Sequence, residues 1–400
     1  MDPFLNPFAP SAGQRPPEFA GRTKCIEESS IALRRALAGK PFRSILFLGL
    51  RGTGKTVLLN EISQIAKQQG YLVSRLEAPE SANLASLLFP EMRKVMRHLS
   101  TIEQTKSLAL RAMGVLQNFA SIFKIEVGGV SVEVSPTLGT GDSGDLQTDL
   151  PDIFESIGEV AQVSKQGWSI FLDEIQYLNI RDLSALIVSI HRISQCGYPI
   201  ILIGAGLPQI ARLAGEAKSY AERLFRYYDI GALDKLAASE AIVKPLEEEN
   251  VSITQDALAE IIKGTRGYPF YLQQWASCAW DIAQGPQITV SDVAKASEEA
   301  LQILDSGFFR VRLDRLTHGE LQYCYAMAAL GDGPYQSGAI AKELNKKTAG
   351  LGVIRANLIS KGMIYASSRG YLDFTVPLFA AFLRRMSNAT NSDPSGRNKN

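Results

Sequence analysis

Two short stretches of the sequence hold residue types that could do chemistry on phosphates. Residues 49–56 read Gly-Leu-Arg-Gly-Thr-Gly-Lys-Thr, which fits the spacing GxxxxGK[ST] at every fixed position. Such glycines let the backbone wrap phosphates with its N–H groups inward, the lysine adds charge at the β and γ phosphates, and the threonine hydroxyl can ligate Mg²⁺. The pattern predicts that one continuous segment binds ATP with Mg²⁺: Gly49, Leu50, Arg51, Gly52, Thr53, Gly54, Lys55, Thr56 and Val57.

An acidic pair could complete this site. Asp173 and Glu174 directly follow the apolar run at residues 169–172, which reads as a buried strand. We expect Asp173 to hold the magnesium through water, and Glu174 to act as the general base or to position the attacking water. Lys55 and Glu174 are therefore candidate catalytic residues, and Thr56 and Asp173 are candidate metal-binding residues.

A parallel sheet would bring the two motifs to one edge. Five apolar runs alternate with helical patterns, at residues 44–48, 71–76, 168–172, 199–203 and 227–230. This alternation predicts an α/β fold with a doubly wound parallel sheet. Residues 80–148 read as an insertion, with two helices over 81–122, a hairpin over Ile125–Val134 and a flexible loop over 135–148.

The remaining segments differ in composition. Residues 1–20 hold five prolines and are predicted to form an extended arm, followed by the core at 21–231. Residues 232–312 are helical in pattern. Residues 313–386 read as three short helices and a hairpin, which is a winged-helix pattern. Residues 387–400 are polar without an apolar face and are predicted to be disordered.

Charge and cysteine content exclude several classes of protein. The formal net charge is +1, so no global field favours nucleic acid or an anionic membrane. The four cysteines are far apart, which fits a reducing compartment better than a disulfide framework or a zinc site. No apolar run approaches the roughly 18 residues of a membrane helix, and the first residues lack a signal-peptide pattern. We expect a cytoplasmic protein.

The motifs resemble those of the AAA+ and STAND branches of the P-loop ATPases, over residues 17–386. Asp-Glu followed by Ile-Gln-Tyr-Leu is similar to the second acidic motif of initiator-type (origin-recognition-like) and STAND-like ATPases. Phe-Ala-Gly-Arg at 19–22 resembles the motif that lies over the adenine, which implies a nucleotide-binding role for Arg22. The resemblance also implies five parallel strands in the order 5-1-4-3-2, a helical lid at 232–312 and a winged helix.

Three further positions follow from this resemblance. Arg223, with Arg226 in reserve, lies where AAA+ proteins carry an arginine finger, which implies an oligomer; the alternative is a surface arginine paired to a nearby glutamate. Gly267-Tyr268-Pro269 resembles the Gly-x-Pro signature of STAND lids, where the proline packs on the adenine. Arg266 resembles the lid arginines that contact phosphate in AAA+ relatives. The alternative there is an ordinary turn between helices.

One position departs from the family pattern. AAA+ members usually place a polar residue at the end of the fourth strand to position water, but this chain reads Gly204-Ala205-Gly206. The role of positioning water is therefore unfilled at the end of this strand. This argues against rapid hydrolysis more than against nucleotide binding.

The C-terminal segment is locally basic. Residues 331–386 hold eight Lys or Arg and three Asp or Glu, a local excess of five positive charges. The basic residues predicted to contact a DNA backbone or groove are Lys346, Lys347, Arg355, Lys361 and Arg369. The alternative is that the winged helix packs on the ATPase core and locks an inactive state.

Two functions therefore remain open. The first is an ATP-driven regulatory switch that hydrolyses ATP, with or without oligomerisation, and acts on a protein partner or on DNA. The second is a nucleotide-binding DNA-binding or scaffold protein with negligible turnover. ATP and Mg²⁺ are the expected ligands in both cases.

Overall fold

The computed structural model describes residues 1–11, 13–80, 83–125 and 141–392. These residues form two compact units. The first unit comprises residues 22–49 and 55–230, and the second comprises residues 1–21, 50–54 and those from 231 onward. The lid and the C-terminal module, which the sequence separates at residue 312, belong to the same unit.

The first unit is built on a five-stranded parallel sheet. Its strands are β1 (Ser44–Leu48), β2 (Tyr71–Glu77), β3 (Gly167–Asp173), β4 (Ile200–Gly206) and β5 (Phe225–Asp229). Their spatial order is β2-β3-β4-β1-β5, which is the expected order 5-1-4-3-2 counted from the opposite edge. The predicted fold class is confirmed.

Both faces of the sheet are covered, which explains why the strands read as unbroken apolar runs. In β1, Leu46 and Leu48 belong to the core on one face, while Ile45 and Phe47 belong to the core on the other. Helices pack on both sides. They are α1 (Thr23–Leu37), α2 (Lys55–Gln68), α3 (Leu84–Leu99), α4 (Lys106–Ile122), α5 (Leu146–Ser164), α6 (Ile180–Cys196), α7 (Ile210–Ala217) and α8 (Ala221–Leu224).

The insertion differs in part from its prediction. Helices α3 and α4 are the two expected helices, and they add apolar residues to the core beside α5. Helix α5 begins at Leu146, within the predicted loop over 135–148, because Asp145 caps it and the buried Asp149 accepts hydrogen bonds from the backbone N–H groups of Ser143 and Gly144. The predicted hairpin falls largely on residues 126–140, outside the described residues.

One strand boundary is corrected. Helices α7 and α8 are separated by residues 218–220, and α8 ends at Leu224, directly before β5. Strand β5 therefore begins at Phe225 instead of Tyr227. Phe225 is buried in the core on one side of the sheet, and this anchors the start of the strand.

The second unit contains the lid helices and the C-terminal module. Its lid elements are α9 (Lys235–Glu248), β6 (Ser252–Ile253), α10 (Gln255–Thr265), α11 (Pro269–Ile282), β7 (Gln287–Ile288), α12 (Val290–Ile303), a π-helical turn (Leu304–Phe309) and α13 (Arg310–Leu313). The C-terminal module has α14 (His318–Ala329), β8 (Tyr335–Gln336), α15 (Ser337–Glu343), α16 (Gly352–Ser360), β9 (Ile364–Ser368), β10 (Tyr371–Phe374) and α17 (Phe379–Ser392). One continuous apolar core joins them.

The N-terminal arm is anchored on α11. The Met1 amino group donates to the Ala283 carbonyl over 2.6 Å, and the Trp280 indole N–H donates to the Asp2 carbonyl over 2.8 Å. Phe8 is buried in the core of this unit. A short 3₁₀ turn at Pro3–Leu5 interrupts the arm, which the sequence predicted to be extended.

The C-terminal end is more ordered than predicted. Helix α17 runs to Ser392, so residues 387–392 continue a helix, whereas the sequence predicted a disordered tail from residue 387. Phe379, Phe382 and Leu383 are buried on one face of its first turns, and this packing supports the polar continuation. Within the described ranges, no helix combines the length and apolar character that crossing a bilayer requires.

Candidate nucleotide site

The predicted phosphate loop connects β1 to α2. Gly52 and Gly54 have φ angles of 81° and 89°, which side chains other than glycine rarely allow, so the loop conformation depends on these two residues. Helix α2 begins at Lys55, and the first N–H groups of a helix have no partner within it. The loop thus leads into a helix N-terminus, which is a site that favours anions.

Two N–H groups of the loop are engaged elsewhere. The Gly49 N–H donates to the Gly206 carbonyl over 3.0 Å, and the Arg51 N–H donates to the Thr375 carbonyl over 3.1 Å. The sequence assigned every residue from Gly49 to Val57 to nucleotide binding. In this conformation, Gly49 and Arg51 use their N–H groups to anchor the loop.

The candidate metal ligands lie side by side within the first unit. The Thr56 hydroxyl donates to Asp173 Oδ2 over 2.5 Å, and the Glu174 N–H donates to Asp173 Oδ1 over 2.8 Å. Asp173 ends β3 and is only 8% exposed. Burial raises the pKa of its carboxyl group, and the hydrogen bond from Thr56 opposes that rise. Lys55 is also buried, at the first position of α2.

The candidate base has an unusual backbone. Glu174 adopts a left-handed conformation with φ 52° and ψ 35°, immediately before a 3₁₀ turn at Ile175–Tyr177. Non-glycine residues in this region are uncommon and concentrate at functional sites. The strained turn directs the chain away from β3 directly after Asp173.

Gln176 lies in the second acidic motif, but the sequence alone predicts no role for it. Its Nε2 donates to Glu174 Oε2, and its Oε1 accepts a hydrogen bond from the Leu207 N–H over 3.0 Å. A polar side chain two positions after the acidic pair is a signal that could have drawn attention to it.

The glycines at the end of β4 have a steric cause. A Cβ atom on Gly206 would lie 2.6 Å from Gln176 Oε1 and 2.9 Å from Ile175 Cγ2, and one on Gly204 would lie 2.7 Å from Leu46 Cδ2. Larger residues would displace the turn that carries Glu174 and Gln176. The missing polar residue therefore reflects close packing at this strand end.

Residues 50–54 contact the lid and the C-terminal module inside the second unit. The Tyr268 hydroxyl donates to the Arg51 carbonyl, and the Phe270 N–H donates to the Gly52 carbonyl over 3.2 Å. A Cβ atom on Gly52 would lie 3.2 Å from Phe270 Cβ and from Tyr268 Cε1. Carbonyls of the loop are thus held by a segment of the chain about 200 residues away.

The lid residues proposed for the nucleotide lie at a turn. Arg266 ends α10 in a left-handed conformation, and its guanidinium forms an ion pair with Asp332 at 3.0 Å, a partner that the sequence did not suggest. Pro269 is the first residue of α11, where its fixed φ suits a helix start. Between them, Gly267 accepts a hydrogen bond from the Leu233 N–H over 2.8 Å.

Three other arginines were candidates. Arg22 precedes α1, and burial lowers its pKa. Arg226 pairs with Glu28 at 2.6 Å and lies over the Tyr228 ring. Arg223 is exposed and has no ion pair among the described residues. Of the two candidates for the arginine finger, Arg226 is therefore ion-paired within those residues and Arg223 is not.

The basic residues of the C-terminal module separate into two groups. Four are exposed: Lys346, Lys347, Arg355 and Arg369. Lys361 instead donates to the buried Glu320 over 2.7 Å and to the Arg315 carbonyl over 2.9 Å. Its prediction as a DNA contact is therefore corrected, because Lys361 stabilises the module internally.

Two families match parts of the chain. Residues 18–203 match the family described as AAA ATPase domain, and residues 306–383 match a domain of unknown function (DUF8462). No curated protein matches the chain in sequence. The first match includes Lys55, Thr56, Asp173 and Glu174, so the residues brought together above lie within the segment that is similar to the AAA ATPase domain family.

Several solved structures are similar to this chain at low sequence identity. The Walker-type ATPase paby2304 of Pyrococcus abyssi is 18% identical, with 92% of this chain and 97% of that chain covered and a TM-score of 0.53. The RuvB Holliday junction branch migration motor of Thermotoga maritima is 19% identical, with 95% and 98% covered and a TM-score of 0.42. The Aeropyrum pernix ORC1 protein, solved in complex with DNA, is 15% identical, with 94% and 96% covered and a TM-score of 0.44.

Proposed function

We propose that this protein is a Mg²⁺-dependent ATPase whose nucleotide cycle operates a regulatory switch. The observation that carries the proposal is the assembly of Thr56, Asp173 and Glu174 beside the N-terminus of α2. These are the groups that an AAA+ P-loop ATPase domain uses for metal binding and for activation of water.

The donor atoms fit magnesium. Thr56 Oγ1 and Asp173 Oδ2 are adjacent oxygens, and Mg²⁺ prefers oxygen ligands together with bound water. Bound there, the ion would neutralise charge on the β and γ phosphates. Thr56 would serve as a direct ligand, and Asp173 would hold a metal-bound water.

The residues also support a balanced hydrolysis step. The water oxygen bonds to the γ-phosphorus, and the bond from that phosphorus to the bridging oxygen breaks, with its electron pair leaving on ADP. Glu174 accepts the proton released from water, and Lys55 stabilises the negative charge on the phosphates. We further propose that the exposed Arg223 acts on the γ-phosphate of a neighbouring copy, which extends the proposal to an oligomer.

A steady-state phosphate-release assay tests hydrolysis. Glu174→Gln removes the proton acceptor but keeps the shape, so we expect turnover to fall at least about a hundredfold while ATP still binds. Glu247→Gln, at an exposed lid position, is the matched control. Turnover that survives Glu174→Gln contradicts this assignment. Wild-type turnover near zero, with tight ATP binding, favours a binding or scaffold protein.

The switch is supported by contacts to the loop. Tyr268 and Phe270 of the lid bond to the carbonyls of Arg51 and Gly52, and the Thr375 carbonyl bonds to the Arg51 N–H. A change in loop conformation on ATP binding would break or shift these bonds, and the C-terminal module would respond. Hydrogen exchange of residues 362–376 with and without ATP would detect that response, and unchanged protection would contradict it.

Duplex DNA is a second candidate ligand, favoured by the C-terminal module. Helices α14, α15 and α16, with a three-stranded antiparallel sheet in the order β8-β10-β9, support a winged-helix arrangement. Helix α16 exposes Val353 and Arg355, two exposed lysines precede it, and Arg369 lies at the turn between β9 and β10. An exposed helix with basic flanks suits the major groove, and the turn suits the phosphate backbone.

Salt-dependent binding tests this candidate. Duplex affinity should fall steeply with salt, and replacing Lys346 and Lys347 with alanine should reduce the slope by about one per lysine. Lys67→Ala with Lys235→Ala removes the same charge from exposed helix positions elsewhere and should leave the slope unchanged. Absent or salt-insensitive binding would contradict DNA as the ligand.

A further inference from the structure

The Gln176 side chain connects the candidate base to the end of a neighbouring strand. Its Nε2 donates to Glu174 Oε2, while its Oε1 accepts from the Leu207 N–H directly after β4. The two partners fix the orientation of the amide, because a carboxylate only accepts and a backbone N–H only donates. Only a side chain with one donor and one acceptor satisfies both.

The end of β4 is itself tied to the phosphate loop. The Gly206 carbonyl accepts from the Gly49 N–H over 3.0 Å, and Leu48 and Gly206 are paired in the register of β1 and β4. Gly206 also leaves the space that the Gln176 amide fills, since a Cβ there would lie 2.6 Å from Oε1. Gln176 thus joins Glu174 to the strand that anchors the start of the loop.

We propose that Gln176 is the positioning residue of this site, and that it supplies, from the 3₁₀ turn after β3, the polar group that β4 lacks. It holds one oxygen of Glu174 against the end of β4, so that the carboxylate keeps the orientation in which it accepts the water proton. The left-handed backbone of Glu174 makes such support necessary, because a strained residue keeps its geometry only when its surroundings hold it.

The inference rests on the proposed ATPase function, and the test separates the two. Wild-type turnover is measured first at saturating ATP with Mg²⁺. Gln176→Met keeps the length of the side chain but removes both hydrogen bonds, so we expect kcat to fall about tenfold to a hundredfold, with KM changed less than about twofold. Absent wild-type turnover overturns both claims, whereas unchanged kcat in Gln176→Met overturns the positioning role alone.

A second variant distinguishes positioning from simple packing. Gln176→Glu keeps the acceptor for the Leu207 N–H but places a carboxylate against Glu174, so the positioning role predicts a loss of kcat at least as large as for Met. Full activity of Gln176→Glu would show that the contact with Leu207 is sufficient, and would overturn the proposal.

A double-mutant cycle completes the test. If Gln176 acts through Glu174, then Gln176→Met adds no further loss of kcat in the Glu174→Gln background. Additive losses would contradict the inference. The thermal midpoint of each variant is measured in parallel, and a fall in ATP affinity equal to the fall in kcat would assign Gln176 a structural role only.

Discussion

Thr56 and Asp173 are joined by a hydrogen bond of 2.5 Å between the threonine Oγ1 and the carboxylate Oδ2. One residue lies in the first turn of α2 and the other at the end of β3. The protein fold itself therefore holds their two oxygens next to each other. A pair held in this way lowers the entropic cost of collecting metal ligands from separate elements.

The pair predicts the effect of Asp173→Asn. An amide keeps the shape of the side chain but loses its negative charge, so we expect nucleotide affinity in Mg²⁺ to fall about tenfold or more. Affinity in EDTA should change little, because Lys55 and the loop remain. Titration with a fluorescent ATP analogue under both conditions is the measurement, and an equal loss in both would contradict the metal role.

Tyr268→Phe tests the contact between the lid and the loop. The substitution removes the hydroxyl that donates to the Arg51 carbonyl in a buried setting, so the free energy of unfolding should fall by about 1 kcal/mol. Tyr325→Phe is the matched control, because no hydrogen bond of its hydroxyl is found in the described residues. Equal urea midpoints for the two variants would argue against an energetic contribution from this bond.

Glu320 should make the stability of the C-terminal module depend on pH. Burial alone would raise its pKa, but hydrogen bonds from Lys361 and Thr317 outweigh burial and hold the pKa below its ordinary value near 4.5. A carboxyl with a lowered folded pKa stabilises the fold above its unfolded pKa, and this contribution is lost as pH falls through the folded value.

Glu320→Gln is the corresponding variant. It should destabilise the protein by about 1–3 kcal/mol at pH 7, since it breaks a partly buried ion pair and weakens the cap of α14. The gap to wild type should narrow below about pH 4.5. Thermal melts at several pH values provide the comparison, and a constant gap would contradict the assignment to ionised Glu320.

Arg223→Ala and Arg226→Ala form a matched pair for the oligomer hypothesis. If Arg223 acts on a neighbouring copy, turnover per molecule rises with protein concentration, and Arg223→Ala removes that rise. Arg226→Ala should keep it, since Arg226 is paired with Glu28 on the surface and such pairs contribute about 0–1 kcal/mol. Concentration-independent turnover in the wild type would refute the hypothesis.

The sheet and the loop could be predicted because their signals are local. The apolar runs and the spacing from Gly49 to Thr56 determine strand, turn and helix within about a dozen residues each. Asp173 and Glu174 were accessible for the same reason, as acids directly after a buried strand.

The rest depended on contacts between distant segments. The glycines at the end of β4 looked like a missing polar group, because the sequence could not reveal that Gln176 fills the space over Gly206. Similarly, the polar residues at the end of α17 gave no helical signal of their own, and only the packing of Phe379 and Phe382 explains that helix. The sequence suggested that Lys361 is a surface cation, because it could not show that Lys361 pairs with the distant Glu320.

The bond between the Arg51 N–H and the Thr375 carbonyl has a thermodynamic consequence for anything that binds the C-terminal module. Coupling free energies are reciprocal, so a partner that moves Thr375 and thereby weakens ATP binding by some factor must itself be bound more weakly, by the same factor, when ATP is present. The concentration of ATP would then set the occupancy of that partner. The C-terminal module would therefore sense the concentration of ATP, even where no phosphate is released.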